Sequence, residues 1–192
     1  MRAPTRMAPV LALAAALGVL GPGPPARAEP LPSGSLGVLF GGGAGTGRYA
    51  RSLGLGYYQF GAQATWQPMR TERRVAWSLK WQFVFGRMLD AESARIDDVL
   101  RTLQMDFMGG IRIRPGTNVR RYLALRAGVE LFRANEVIMP DGQRAFVGPV
   151  AAIAVEQYAF GAFMFNVDVR YGMIGWGPAE IAVLAGVAIS VP

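Results

Sequence analysis

Six charged residues hold most of the chemistry open to this sequence: Lys80, Asp106, Arg126, Glu130, Arg170 and Glu180, each set between apolar neighbours. Carboxylates such as Asp106 with Glu130, or Asp168 with Glu156, are the residue types that general acid–base chemistry needs. The chain has no histidine and no cysteine. Imidazole-activated nucleophiles, thiolate chemistry and imidazole or thiolate metal ligands are therefore unavailable. No nucleophile and base constellation is visible, so no catalytic residue, metal ligand or cofactor is assigned. With arginines in reach of the same carboxylates, ion pairing is the expected use of these charges. The run Gly41-Gly42-Gly43-Ala44-Gly45-Thr46-Gly47-Arg48 has the glycine content of a phosphate-cradling loop. Arg48 and Tyr49 stand where such a loop needs lysine and a hydroxyl residue, and no helical pattern follows, so a flexible hairpin loop is expected instead.

The elements that position these charges follow from a period of two. From Arg74 to Gly86 the chain alternates, with Val75, Trp77, Leu79, Trp81, Phe83 and Phe85 on one face and Ala76, Ser78, Lys80, Gln82 and Val84 on the other. Successive strand side chains point to opposite faces, so this is a β-strand with one oily and one polar side. Seven further segments alternate in the same way, beginning at Ser35, Tyr58, Val99, Tyr122, Ala145, Phe163 and Glu180. The first is the least defined, because glycines blur its faces. Most segments run past the roughly five or six residues of an ordinary strand and match the roughly 9–11 tilted residues of a membrane strand. Tyr58 and Trp66 lie eight residues apart on the oily face, as do Trp77 and Phe85. At a rise of about 3.3 Å and a tilt of roughly 40° they are on the order of 20 Å apart along a barrel axis. With Trp81, Phe163, Phe165 and Tyr171 they form a candidate lipid-facing aromatic belt. The fold class expected is all-β: an eight-stranded, antiparallel, up-and-down transmembrane barrel.

A leader is expected to precede it. Arg2 and Arg6 form a basic start, Val10 to Leu20 an apolar run, and Ala26-Arg27-Ala28 a small-residue cleavage site, so residues 1–28 read as a signal peptide and residues 29–192 as the barrel domain. Removing Arg2, Arg6 and Arg27 lowers the formal charge from +7 to +4. The remaining basic residues are spread through strands and turns rather than clustered, which argues against a nucleic-acid partner.

Links at Gly43–Ser52, Met88–Asp98, Ala134–Gln143 and Met173–Ala179 read as longer than those at Pro68–Arg73, Pro115–Asn118 and Gln157–Phe160. Such alternation is how a meander barrel places short turns on the periplasmic side, with its termini. Arg48, Arg51, Arg87, Arg95 and Arg133 fall at the longer-loop rim. There, guanidinium groups could grip lipopolysaccharide phosphates or, interleaved with Asp90, Glu92, Asp97 and Asp141, simply form a solvated rim.

The chain resembles the small eight-stranded outer-membrane barrels of the OmpA and OmpX type. Its most motif-like part is Gly186-Val187-Ala188-Ile189-Ser190-Val191, similar to that family's closing assembly signal, although Val191-Pro192 replaces the usual final aromatic and Leu184 a common polar residue. The resemblance implies a Gram-negative outer-membrane location and insertion by the barrel-assembly machinery. A monomer among outer-membrane lipid and lipopolysaccharide is expected, in a structural or interaction role.

Eight strands enclose a lumen about wide enough for side chains to fill. Counting back from the turns places Lys80 beside Asp106 and Asp106 beside Arg126, with Glu130 nearby and an Arg170–Glu180 pair between the last two strands. Structural filling is the first reading of this network, and a narrow porin-like path for ions or small solutes is the alternative. A soluble periplasmic calyx for an apolar ligand would need an oily lumen, which the face carrying Gln63, Lys80, Asp106 and Arg126 does not supply.

Overall fold

The computed structural model of the chain describes residues 33–45, 57–67, 74–88, 101–115, 120–134, 145–159, 163–174 and 177–191. They form eight strands: β1 (Gly34–Gly45), β2 (Tyr57–Trp66), β3 (Val75–Met88), β4 (Arg101–Ile113), β5 (Arg121–Ala134), β6 (Ala145–Ala159), β7 (Phe163–Ile174) and β8 (Gly177–Val191). Each strand pairs antiparallel with the next, and β1 pairs with β8 from Gly34↔Val191 to Gly45↔Glu180, closing the barrel. Closure leaves no unpaired strand edge, which is the requirement for crossing hydrocarbon with strands. The first and last described strands begin and end at one rim, called here the terminal end. The proposed leader at residues 1–28 lies outside the described residues.

Polarity is inverted relative to a water-soluble protein. Leu36, Val38, Phe40, Phe60, Phe107, Val129, Ile153 and Ile189 are exposed on the outer wall, while Gln63, Gln104, Asp106, Glu156 and Arg170 are fully buried inside. The alternation that predicted each strand also sorts its residues between the two sides. On β3, Trp77 is 65% exposed and Lys80 is 2% exposed, three positions on. Trp81 and Phe83 are half-buried. Trp81 lies against Phe83 and Phe107, and Phe60 stacks on Phe85 with ring centroids 5.5 Å apart.

Three expectations are corrected. Gly41–Gly45 belong to β1 rather than to a hairpin loop, because their backbones are held in the ladder with β8. The link expected at Met173–Ala179 contracts, since β7 continues to Ile174 and β8 starts at Gly177. A register shift between Gly172 and Met173 lets the ladder continue with Met173↔Pro178, and a proline near the start of a strand is tolerated by such irregularity. The reversal expected to begin at Gln157 starts later, because β6 runs to Ala159. That extension carries Tyr158 into the lumen, where it is buried.

Candidate functional site in the barrel lumen

The lumen is built in layers by inward-facing residues of all eight strands. Nearest the terminal end, Ser35 and Thr65 share a short hydroxyl–hydroxyl hydrogen bond, and Tyr122, Tyr158, Met164 and Ala188 pack together. The Arg112 guanidinium sits 4.6 Å from the centre of the Tyr122 ring and 5.4 Å from that of Tyr158. Its Nη2 donates to Tyr158 Oη at 2.7 Å and lies 2.5 Å from Glu156 Oε2. Glu156 also accepts from Arg126 Nη2 at 2.6 Å, and Arg126 Nε donates to Ser78 Oγ at 3.1 Å. One carboxylate thus holds two guanidinium groups, from β4 and β5, across the strand pair.

In the middle layer Lys80 pairs with Asp168. The same carboxylate accepts from Gln82 Nε2 at 3.0 Å and Asn166 Nδ2 at 2.9 Å, while Asn166 Oδ1 accepts from Gln63. Flanking apolar contacts between Leu39, Val84 and Leu184, and between Met108, Val150 and Ala152, fill the remaining width. Leu184 therefore has apolar partners inside the barrel, which accounts for its place on the lumenal face.

Towards the opposite end, Arg170 is the hub. Its Nε is 2.7 Å from Asp106 Oδ2, its Nη2 2.7 Å from Glu130 Oε1 and its Nη1 2.5 Å from Glu180 Oε1. Gln104 closes the ring: its Oε1 accepts from Arg170 Nη1 at 3.0 Å, and its Nε2 donates to Glu180 Oε2 at 2.7 Å. Gln59 Nε2 donates to Gln104 Oε1 at 2.7 Å. A planar guanidinium with five donors suits this many-sided binding, which a lysine could not reproduce.

The expected Lys80–Asp106–Arg126 cluster is not formed. The register places Lys80 opposite Met108, Asp106 opposite Glu130, and Arg126 opposite Gly110. Turn-based counting misplaces these residues because it assumes symmetric hairpins, and the lumen is narrow enough for long side chains to find partners on distant strands. Lys80 thus reaches Asp168, 88 residues away in sequence. Glu130 does lie beside Asp106, but both are held by Arg170. The Arg170–Glu180 pair is present, as part of the larger hub.

Of the aromatic residues singled out from sequence, Tyr58, Trp66, Trp77, Phe85, Phe163 and Phe165 are exposed on the outer wall, and Trp81 and Tyr171 are half-buried there. Arg133 is exposed at the end of β5. Arg48, Arg51 and Arg95 lie outside the described residues, as does the side chain of Arg87. Sequence reasoning missed Arg112, Gln104 and Tyr158 as members of the network. The continued alternation Ala154, Glu156, Tyr158 was the available signal for the last.

Among the described residues no group of three acidic, histidine or cysteine side chains could hold a metal ion. What the lumen can do chemically is pair, hydrogen-bond and fill. Glu156→Gln would leave Arg112 and Arg126 buried without a counter-charge. The expected loss is about 3 kcal/mol of stability, read as a lowered urea midpoint for unfolding from vesicles.

Fold and interior together define a class: a closed eight-stranded barrel with an apolar exterior and a lumen lined by buried polar and ionic side chains. Several solved structures are similar to this chain in fold. The attachment invasion locus protein Ail of Yersinia pestis superposes with a TM-score of 0.54 at 15% identity, covering 84% of this chain and 98% of Ail. Neisserial surface protein A gives 0.53 at 11% identity, covering 82% and 97%. The N-terminal β-barrel domain of Pseudomonas aeruginosa OprF gives 0.52 at 12% identity, covering 84% and 98%. No family model matches the chain, and no curated protein sequence does. The likeness is one of fold.

Proposed function

We propose that the protein is a monomeric integral outer-membrane barrel with a structural or interaction role, its lumen sealed by the ion network. The observation that carries this reading is the inverted polarity: large apolar side chains line the outside and charged ones are buried within. In this reading residues 1–28 are an export signal and residues 29–192 the membrane domain, of the OmpA and OmpX kind. The barrel-assembly machinery inserts it in a Gram-negative envelope. Tyr58, Trp66, Trp77, Phe85, Phe163, Phe165 and Tyr171, with Trp81, form the lipid-facing aromatic surface, since amphipathic rings favour the headgroup level. Arg133, with Arg48, Arg51, Arg87 and Arg95, meets lipopolysaccharide phosphates at the outer rim. Lys80, Asp106, Arg126, Glu130, Arg170 and Glu180 hold the wall together from inside.

The test is a charge placed on the wall. Val129 lies midway along β5 and is 48% exposed. Val129→Lys is expected to destabilise the vesicle-inserted barrel by about 2–4 kcal/mol, as lysine does at a bilayer midplane. An exterior facing water would show a change within about 0.5 kcal/mol. Envelope fractionation with heat-modifiable gel mobility then checks location and closure together, and planar-bilayer recording of the purified protein should show no steady conductance.

A further inference from the structure

The basic excess of the chain is gathered at one rim. Of its thirteen acidic side chains, five are buried in the lumen, where four basic side chains are buried with them. The longer links and their strand ends at the far end, residues 46–56, 87–101 and 133–144, carry seven arginines against six acids. The terminal end is not balanced in this way. Residues 67–74 and 114–121, which join β2 to β3 and β4 to β5, carry six arginines and Glu72 as their one acid. The remaining acid, Glu29, precedes β1, and β1 closes with β8 on the opposite side of the barrel from β4 and β5. Arginines scattered along the sequence are thus brought to one arc by the strand order.

Four of the six fall on described residues of neighbouring strands: Arg74 before β3, Arg114 after β4, and Arg120 and Arg121 at the start of β5. Backbone bonds fix the arc. Arg114 N donates to Arg74 O at 2.8 Å, and Arg120 O accepts from Tyr158 N on β6 at 2.8 Å. Arg74 is exposed and the other three are half-buried. Arg121 alternates with Tyr122 and so shares the outward face of β5 with Leu123 and Leu125, and its Nε donates to Gln157 Oε1 at 3.0 Å. Bonds of this kind inside the protein leave the excess unchanged, because every acidic side chain is already in the count. A guanidinium also carries five donors, enough for an internal partner and a phosphate together. Along the wall from these arginines stand Val75, Trp77 and Leu125, all exposed apolar side chains.

We infer that this arc of the terminal rim binds anionic phospholipid headgroups of the adjacent leaflet, with guanidinium groups on the phosphates and acyl chains on the apolar wall beside them. Guanidinium–phosphate pairing is charge-assisted and bidentate in its best geometry, and an anionic surface strengthens association by about fivefold for each arginine near it. The wall decides among anionic partners. A soluble polyanion would meet the charge and have no use for Val75, Trp77 and Leu125, whereas a lipid satisfies both. The inference rests on the membrane reading of the outer wall and not on the rim at the far end.

Fluorescence quenching by brominated lipid tests it, in the full chain carrying Trp81→Phe and Trp176→Phe. That background leaves Trp66, the last residue of β2, and Trp77, near the start of β3, as emitters towards the terminal end. The protein is folded into phosphatidylcholine vesicles that hold a minor fraction of phosphatidylglycerol. Dibromo-phosphatidylglycerol should quench more strongly than dibromo-phosphatidylcholine at equal mole fraction, with a relative association constant of at least about five. The preference should fall towards unity at about 1 M salt, where the Debye length is about 3 Å. Arg74→Gln combined with Arg121→Gln should lower it severalfold, and Arg101→Gln, at the far-end start of β4, should keep it. Equal quenching by the two lipids with the rim intact overturns the inference, and so does a preference that survives high salt or the Arg74→Gln and Arg121→Gln pair. A chain that does not insert into the vesicles overturns the membrane reading and this inference with it, whereas insertion with equal quenching overturns this inference alone.

Discussion

Replacing Arg170 with leucine is expected to abolish stable folding, with a loss of at least about 3–5 kcal/mol, the range seen when one partner of a buried ion pair is removed. The expected value lies at the top of that range because Asp106, Glu130 and Glu180 all lose their cation at once. Gln104 loses a donor as well. Since whole domains are stable by only about 5–15 kcal/mol, the variant should migrate on gels as the unfolded form without heating. Arg170→Lys should recover only part of the loss, because an ammonium supplies a point charge and cannot fork to three carboxylates. Combining Arg170→Leu with Glu130→Gln should cost less than the single Arg170→Leu change, a non-additivity diagnostic of groups in one network. If Arg170→Leu inserted into vesicles with a wild-type midpoint, the hub would not be holding the strands.

The comparison of sequence with structure turns on what alternation can and cannot encode. Which side of the wall a residue occupies is local information: once Trp77 and Leu79 face out, Ser78 and Lys80 must face in. The inward placement of Lys80, Asp106, Arg126, Glu130, Arg170 and Glu180 was legible for that reason. Partner choice is not local. It depends on the stagger of strands around a closed barrel and on side-chain reach across a narrow lumen, so Lys80 on β3 pairs with Asp168 on β7. The strand ends were hidden for another reason. The link read at Met173–Ala179 is shortened by the register shift after Gly172, which lets Met173 pair with Pro178, and Tyr158 reads as part of the reversal at Gln157–Phe160 although β6 continues to Ala159. Leu39, Val84 and Leu184 were hard to interpret singly, since an apolar residue on a polar face makes sense only once the three are seen to meet.

The same local logic identifies a position where the wall admits no side chain at all. Gly128 lies on the lumenal face of β5 between Arg126 and Glu130, opposite Met108 on β4 and Val150 on β6. A Cβ at Gly128 would overlap the Phe107 carbonyl oxygen and approach Met108 Cα to 2.8 Å. Gly110 stands in the reciprocal relation, its Cβ overlapping the Leu125 carbonyl oxygen and approaching Arg126 Cα to 2.8 Å. Both obstructions are backbone, so no rotamer change relieves them, and strands β4 and β5 would have to separate. Gly128→Ala is therefore expected to destabilise by about 1–3 kcal/mol, the usual range for overpacking. Gly128→Leu should exceed it, because its side chain would also enter the space filled by Met108, Val150 and Ala152. The separation would move Arg112 on β4 away from the Glu156 carboxylate that it shares with Arg126 on β5, so wall and ion network should fail together. Folding yield into vesicles and the urea midpoint measure this directly. A Gly128→Ala variant with wild-type values in both would mean that β4 and β5 tolerate a wider spacing, and that the ion pairs rather than the strand approach set the barrel's dimensions here.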